Sequence, residues 1–299
     1  MEKLTFQKIV EERGQAHPLR KKLYKDLENR LGKPVVAFFT SFVYPVSIED
    51  SDANMLEEVL QRLDLSSGLV VLINSPGGSA LAAERIINIF RNYSGTKEYE
   101  TIVPDKAKSA ATMICLGSSK IIMSPTSELG PVDPQKVEQE EGKSPRWFSV
   151  YNIVSSYERL FQEAINLTEK QRIEPYIQQL SFYDPREIEE MRSALNLSED
   201  ITIKTLKTGM LKDLSEEEIK KKIQIFLIPE KKAKTHGRPI FAEEAKGIGL
   251  NIEIIDPRED FWKIIRELYV RLNDFVSYNN IAKCIENKNY SFHASIKLK

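Results

Sequence analysis

The stretch from Val70 to Gly130 constrains this chain more than any other. It opens on VVLINSPGG, in which Val70, Val71, Leu72 and Ile73 are apolar and largely β-branched with no polar alternation. Such a run suits a strand buried on both faces, as in a parallel sheet covered by helices. Asn74-Ser75-Pro76-Gly77-Gly78 then breaks the strand, and Ala80 to Phe90 resumes with helical spacing at Leu81, Ile86, Ile87 and Phe90. Adjacent glycines let the backbone approach a ligand closely and aim N–H groups at it. The next unit repeats the order. Thr101 to Val103 reads as a strand closed by Pro104, and Ser109 stands where a small-residue helix begins at Ala110, Ala111, Thr112, Met113 and Ile114. A hydroxyl at a helix start, near a glycine loop, fits a nucleophile beside an oxyanion site. A plain helix N-cap is the competing reading, because serine is common there.

Composition narrows the class. A chain of 299 residues with 41% hydrophobic content can bury a substantial core as one large or two small domains. The formal net charge of −1 gives no reason to expect nucleic acid or an anionic membrane as a partner. Cys115 and Cys284 are too few for a disulfide framework and lack metal-ligand spacing, and Cys115 falls in an apolar helix where burial is expected. The start, MEKLTFQKIVEERGQ, is charged throughout, and no apolar run approaches the length of a membrane span. Neither a secretory signal nor a membrane anchor is expected, and the cytoplasm is the default.

Taken in order, Leu4 to Leu31 is helical in pattern with a restart at Pro18, and Val35 to Phe39 reads as the first core strand. Phe42 to Ile48 is a loop. Asp50, Ser51 and Asp52 offer N-caps to a helix carrying Met55, Leu56, Val59, Leu60 and Leu63 on one face. Strand and helix alternating in this way imply parallel crossovers. Lys120 to Met123 is a further strand, and Glu128 to Pro134 is a loop stiffened by two prolines. Lys136 to Lys143 reads as a surface loop, and Trp147 to Leu167 as an amphipathic helix. Glu169 to Ile228 is helical, with caps at Asp184-Pro185-Arg186-Glu187 and at Ser215. The basic cluster Lys231 to Lys234 is a solvated loop. Phe241 to Gly247 is a short helix and Leu250 to Ile255 a strand. Asp256-Pro257-Arg258-Glu259 caps a final helix with an apolar stripe from Phe261 to Phe275, suited to the core or to a neighbouring subunit. Asn279 to Lys299 is polar and shows no pattern.

INSPGG, a Ser-Ala-Ala helix about thirty residues later, and KIIMSPTSELGPVDPQ together resemble the caseinolytic protease (ClpP)/crotonase superfamily on its serine-peptidase side. The ELGPVDPQ ending and the later THGRPIFAEEAKGIGL resemble the serine dehydrogenase proteinase family, relatives of the signal peptide peptidases. The likeness covers roughly Val35 to Val137 and Thr235 to Ile255. It implies an α/β fold, a ClpP/crotonase-like spiral of ββα units with an added helical region. The layout that follows is an N-terminal helical segment over 1–34, a core over 35–255 with a helical insertion at about 169–228, and a C-terminal helix and tail over 256–299. It also implies a homo-oligomer, with a trimer or a multiple of it preferred. The implied nucleophile is Ser109, with the N–H of Gly78 (or Gly77) and that of Ala110 as oxyanion hole, each donor worth about 2.7–4 kcal/mol to a developing oxyanion.

The general base is where the chain departs from these relatives. A serine hydroxyl is a poor nucleophile unless some group takes its proton. Caseinolytic proteases carry a histidine in the loop after the strand matching Lys120 to Met123; here that loop is GPVDP. The position of their aspartate falls on or beside Gly237. Signal peptide peptidases use a lysine on the following helix, yet Trp147 to Leu167 contains none. Lys143 and Lys170 flank that helix, and His236 is the histidine inside a family-like segment. His236 ranks first and Lys143 second as the base; His17 and His293 sit in poorly matched ends. SPGGS is neither a Walker loop nor a GxGxxG fingerprint. Glu128 and Asp133 read as structural, and no metal or cofactor is expected. Three functions remain open: a peptidase acting on peptides or proteins through Ser109, a degenerate binding or scaffold protein of the same fold, and a crotonase-type acyl-CoA enzyme.

Overall fold

The apolar runs become neighbouring strands of one sheet. The computed structural model describes residues 16–44, 46–139, 146–168, 172–228 and 237–296. Its first half runs α1 (Ala16–Leu31), β1 (Val35–Thr40), α2 (Asp50–Leu60), β2 (Leu69–Asn74), α3 (Ala80–Tyr93), β3 (Tyr99–Val103), β4 (Lys106–Ala107) and α4 (Ala110–Leu116). Then come β5 (Lys120–Met123), β6 (Glu128–Leu129), β7 (Gln135–Glu138), β8 (Arg146–Ser149) and α5 (Val150–Ile165). A helical stretch follows: α6 (Glu174–Leu180), α7 (Pro185–Lys207), α8 (Glu216–Lys222) and α9 (Gln224–Leu227). The remainder is β9 (Ile240–Phe241), α10 (Ala242–Gly247), β10 (Ile252–Ile254), α11 (Asp260–Tyr278), β11 (Ile281–Glu286) and β12 (Ser291–Ser295). No helix among the described residues is long and apolar enough to cross a membrane.

The main sheet has seven strands in the order β10-β5-β3-β2-β1-β11-β12. From β10 to β1 every pairing is parallel, and β11 and β12 close the other end antiparallel. Alternate side chains of each parallel strand enter different cores. Val36, Phe38, Val71, Ile73, Ile121 and Met123 face a core built with α2, α3, α4 and α7 to α10. Val35, Ala37, Phe39, Val70, Leu72 and Ile122 face a second core built with α1 and α11. Helices on both faces explain why these strands show no polar alternation. A small second sheet, β4-β6-β9, runs off the ends of β3 and β5. It is joined to the glycine turn by a bridge between Ser75 and Ala107, and a second bridge, Ile48 to Gly78, ties the loop after β1 to the same turn.

Three expectations change and a fourth narrows. Trp147 lies in β8, paired to Val137 of β7, and the helix begins only at Val150, with Ser149 as N-cap accepting the Asn152 N–H. Glu49, not residues 50–52, caps α2, and Asp52 accepts the Glu49 N–H from inside the first turn at 2.8 Å. The polar stretch after Asn279 forms the β11–β12 hairpin beside β1. The stripe on α11 is spent on the molecule's own core: Ile265, Leu268 and Leu272 are fully buried there, with Phe261, Ile264 and Phe275 packed at the edge. Of the two fates expected for the stripe, the core takes most of it, and Phe261, Ile264 and Phe275 keep part of their surface exposed.

Candidate active site

The two strand-to-helix turns of the opening stretch meet. Ser75 exchanges backbone hydrogen bonds with β4: its N–H reaches Lys106 O at 3.2 Å, and Lys108 N–H reaches Ser75 O at 3.0 Å. One residue past this pairing the chain turns sharply into α4, and Ser109 adopts φ 49° and ψ −121°. Positive φ is rare for a residue with a side chain and marks a position the surroundings force. Ser109 occupies the N-cap position of α4, yet its side chain makes no capping bond. The turn is held from behind by Thr112, whose hydroxyl donates to Ala107 O at 2.8 Å and accepts the Gly130 N–H at 3.1 Å.

The glycines fit this turn so closely that no other residue would serve. At Gly77 (φ +104°) a Cβ would stand 2.5 Å from Lys108 O and 2.6 Å from Ser109 Cβ. At Gly78 it would stand 2.2 Å from Ile48 N. The two amides are not equivalent. Gly77 N–H is committed to Ser75 Oγ at 3.1 Å, whereas the N–H groups of Gly78 and Ala110 have no protein acceptor among the described residues. The geometry thus favours Gly78 over Gly77 as the partner of Ala110.

A cleft of about 690 Å³ opens over Ser109, Ala110, Gly77 and Gly78. Its walls are largely apolar: Phe42, Val46, Ile48, Leu81, Met113, Val132, Trp147 and Leu197. Most of these residues escaped the sequence reading, because they come from six separate elements and loops and no local spacing unites them. Glu49 is the one charged side chain lining the cleft among the described residues. The nearby cations are engaged elsewhere. Lys108 Nζ pairs with Glu128 at 2.8 Å and donates to Leu129 O, and Lys106 Nζ lies over the Phe42 ring, 5.2 Å from its centre. In the GPVDP loop Val132 and Pro134 face the cleft, while Asp133 is buried and accepts the Ser149 hydroxyl at 2.9 Å. Lys143 and His236, the residues ranked for the general base, lie outside the described residues. His17 of α1 bonds to Asn287 O in the C-terminal hairpin, and His293 of that hairpin packs edge-on against Phe275 of α11. Among the described residues no group of His, Cys, Asp and Glu has the arrangement of a metal site.

Ser109, at positive φ and with no capping bond from its side chain, thus stands against the Gly77-Gly78 turn at the floor of the cleft. Residues 30–144, which span β1 through β7, match the family described as ClpP-like SDH-type serine proteinase. Two relatives come from Methanocaldococcus jannaschii. Uncharacterized protein MJ0137 is 28% identical over 263 residues, covering 84% of this chain and 78% of its own length. Uncharacterized protein MJ1495 is 34% identical over 108 residues, covering 35% of this chain and 32% of its own.

Proposed function

We propose that this protein is a serine peptidase that cleaves peptide bonds through an acyl-enzyme on Ser109. The observation that carries the reading is the Ser109 turn itself, a hydroxyl left free at positive φ against Gly77 and Gly78. Ser109 Oγ attacks the scissile carbonyl carbon and its proton passes to a general base. The oxyanion that forms is held by the Gly78 and Ala110 N–H groups. Collapse returns the proton to the leaving amine, and water then hydrolyses the ester by the same route. His236 is our first choice for the base and Lys143 the second. The described cleft walls supply neither a histidine nor a lysine, and their one charged side chain is Glu49. We further read β3-β4-α4 and β5-β6 as successive turns of a ββα spiral, with the helices between 174 and 227 added to it. We also read the active form as a homo-oligomer.

A fluorophosphonate probe tests the reading. The wild type should become covalently labelled and Ser109→Ala should not. His236→Ala should slow peptide hydrolysis by about 10²–10⁴-fold, the usual worth of a general base. Full activity in both His236→Ala and Lys143→Ala would eliminate both choices. A folded wild type that neither labels nor hydrolyses peptides would leave the binding or scaffold reading.

A further inference from the structure

The Gly78 amide is only as well placed as Ile48. Ile48 donates its N–H to Gly77 O at 2.7 Å and accepts the Ser79 N–H at 2.9 Å, and these two bonds form the bridge that turns Gly78's own N–H away from Ile48. With a Gly78 Cβ position only 2.2 Å from Ile48 N, the two backbones have no room to slide. Ile48 is followed by Glu49, whose N–H is taken by Asp52 Oδ2 at 2.8 Å. The same oxygen accepts Lys283 Nζ at 2.9 Å. Asp52 is fully buried and Lys283 nearly so.

Lys283 comes from β11, at the opposite end of the chain from Asp52, and pairs in register with Thr40 of β1. A register shift between Ile281 and Lys283 re-aims the strand there, so that Lys283 reaches α2 while Ile281 and Cys284 enter the core on the other face. A buried ion pair is weak evidence for stability, because an apolar pair of the same volume often serves as well. This pair does something an apolar pair would not: it ends on the carboxylate that grips the Ile48–Glu49 backbone.

We infer that Lys283 is a positioning residue for the oxyanion site, setting the Gly78 N–H relative to Ser109 through Asp52 and the Ile48–Glu49 backbone. The inference rests on the serine-peptidase reading. Hydrolysis rates, fluorophosphonate labelling and amide hydrogen exchange in the full chain test it together. Lys283→Met keeps most of the stem and removes the ammonium; Lys283→Arg keeps the charge. Lys283→Met should lower kcat and the labelling rate by about 10–100-fold, the effect of a small misplacement at a reacting centre, with KM changed less than about 2-fold. Exchange at the Ile48 and Ser79 amides should quicken while β2 and β3 stay protected, and Lys283→Arg should recover most of the rate. Should Lys283→Met fail to fold, the double variant Lys283→Met/Asp52→Asn leaves no lone buried charge and should show the same fall in kcat. Wild-type kcat in a folded variant, or unchanged exchange at Ile48 and Ser79, would overturn the inference while leaving the peptidase reading intact. A wild type that takes no label would remove both.

Discussion

Ser109 holds a backbone conformation that its own side chain resists, and the sheet end, Gly77 and the Thr112 tie keep it there. Strain of this kind amounts to roughly 1–3 kcal/mol and persists where the surroundings over-determine it. It can be separated from the chemistry by comparing two inactive variants. Ser109→Ala and Ser109→Gly both remove the hydroxyl, but only glycine accepts φ 49° without penalty. Ser109→Gly should therefore be the more stable of the two by about 1 kcal/mol, after the extra freedom glycine gains in the unfolded chain is subtracted. Urea midpoints at unchanged slope would measure this, and equal midpoints would show that the turn is relaxed. Gly78→Ala tests the opposite limit. Its Cβ would meet Ile48 backbone atoms, which cannot swing aside as a side chain end can. Destabilisation by about 1–3 kcal/mol, the range for overpacking, should accompany loss of fluorophosphonate labelling.

The C-terminal hairpin shows why one element escapes a sequence reading while its neighbours do not. Arg20 of α1 grips Glu286 of β11 through Nε and Nη2, at 2.7 and 2.5 Å, with both side chains buried. Arg20→Ala would leave the Glu286 carboxylate buried and unpaired, and should cost about 3–5 kcal/mol of stability. The double variant Arg20→Met/Glu286→Leu should cost far less, and denaturant titrations of both would decide it. β1, β2 and β5 are legible as apolar runs because both their faces are covered. β11 reads IAKCIE and looks polar, because Lys283 and Glu286 are buried as halves of ion pairs with Asp52 and Arg20, residues 231 and 266 positions away. No local pattern can announce a partner at that distance. The same limit applies to the site. Ser109, Ala110, Gly77 and Gly78 stand out because short loops carry them, whereas Ile48, Trp147 and Leu197 reach the cleft only through tertiary packing. Trp147 reads as helical because an aromatic residue fits a helical stripe as readily as a strand, and Ser149, the cap of α5, lies only two residues on.

At the scale of the whole molecule, what the surface leaves open and what the interior closes lead to different measurements. Phe161, Ile165, Ile177 and Phe182 on and beside α5 and α6 are exposed, and α6 buries none of its residues. If the homo-oligomer we propose forms, this face is where we expect burial. Light scattering at micromolar concentration should then give a trimer or a multiple of it, and a monomer mass would count against assembly. The interior holds two thiols, Cys115 on the buried helix α4 and Cys284 on β11 in the core under α11, on opposite faces of the sheet. Burial pushes the Cys115 thiol up to about 12, and burial, with Glu286 adding to it, pushes Cys284 up as well. At pH 8 neither should react with a thiol reagent in the folded protein, and both should react once it unfolds. The pH dependence has a definite sign. Both folded-state values lie above the unfolded one, so the unfolded chain is first to release these protons as pH rises. Stability is intact below pH 9 and declines from there towards pH 12, each thiol contributing a slope of about 1.4 kcal/mol per pH unit. Tyrosines and lysines titrate in the same window, so the measurement is a difference. Cys115→Ala/Cys284→Ala should start less stable at pH 8, through lost packing, yet fall less steeply than the wild type between pH 9 and pH 11. Parallel slopes in the two proteins would mean that water reaches these thiols in the folded state.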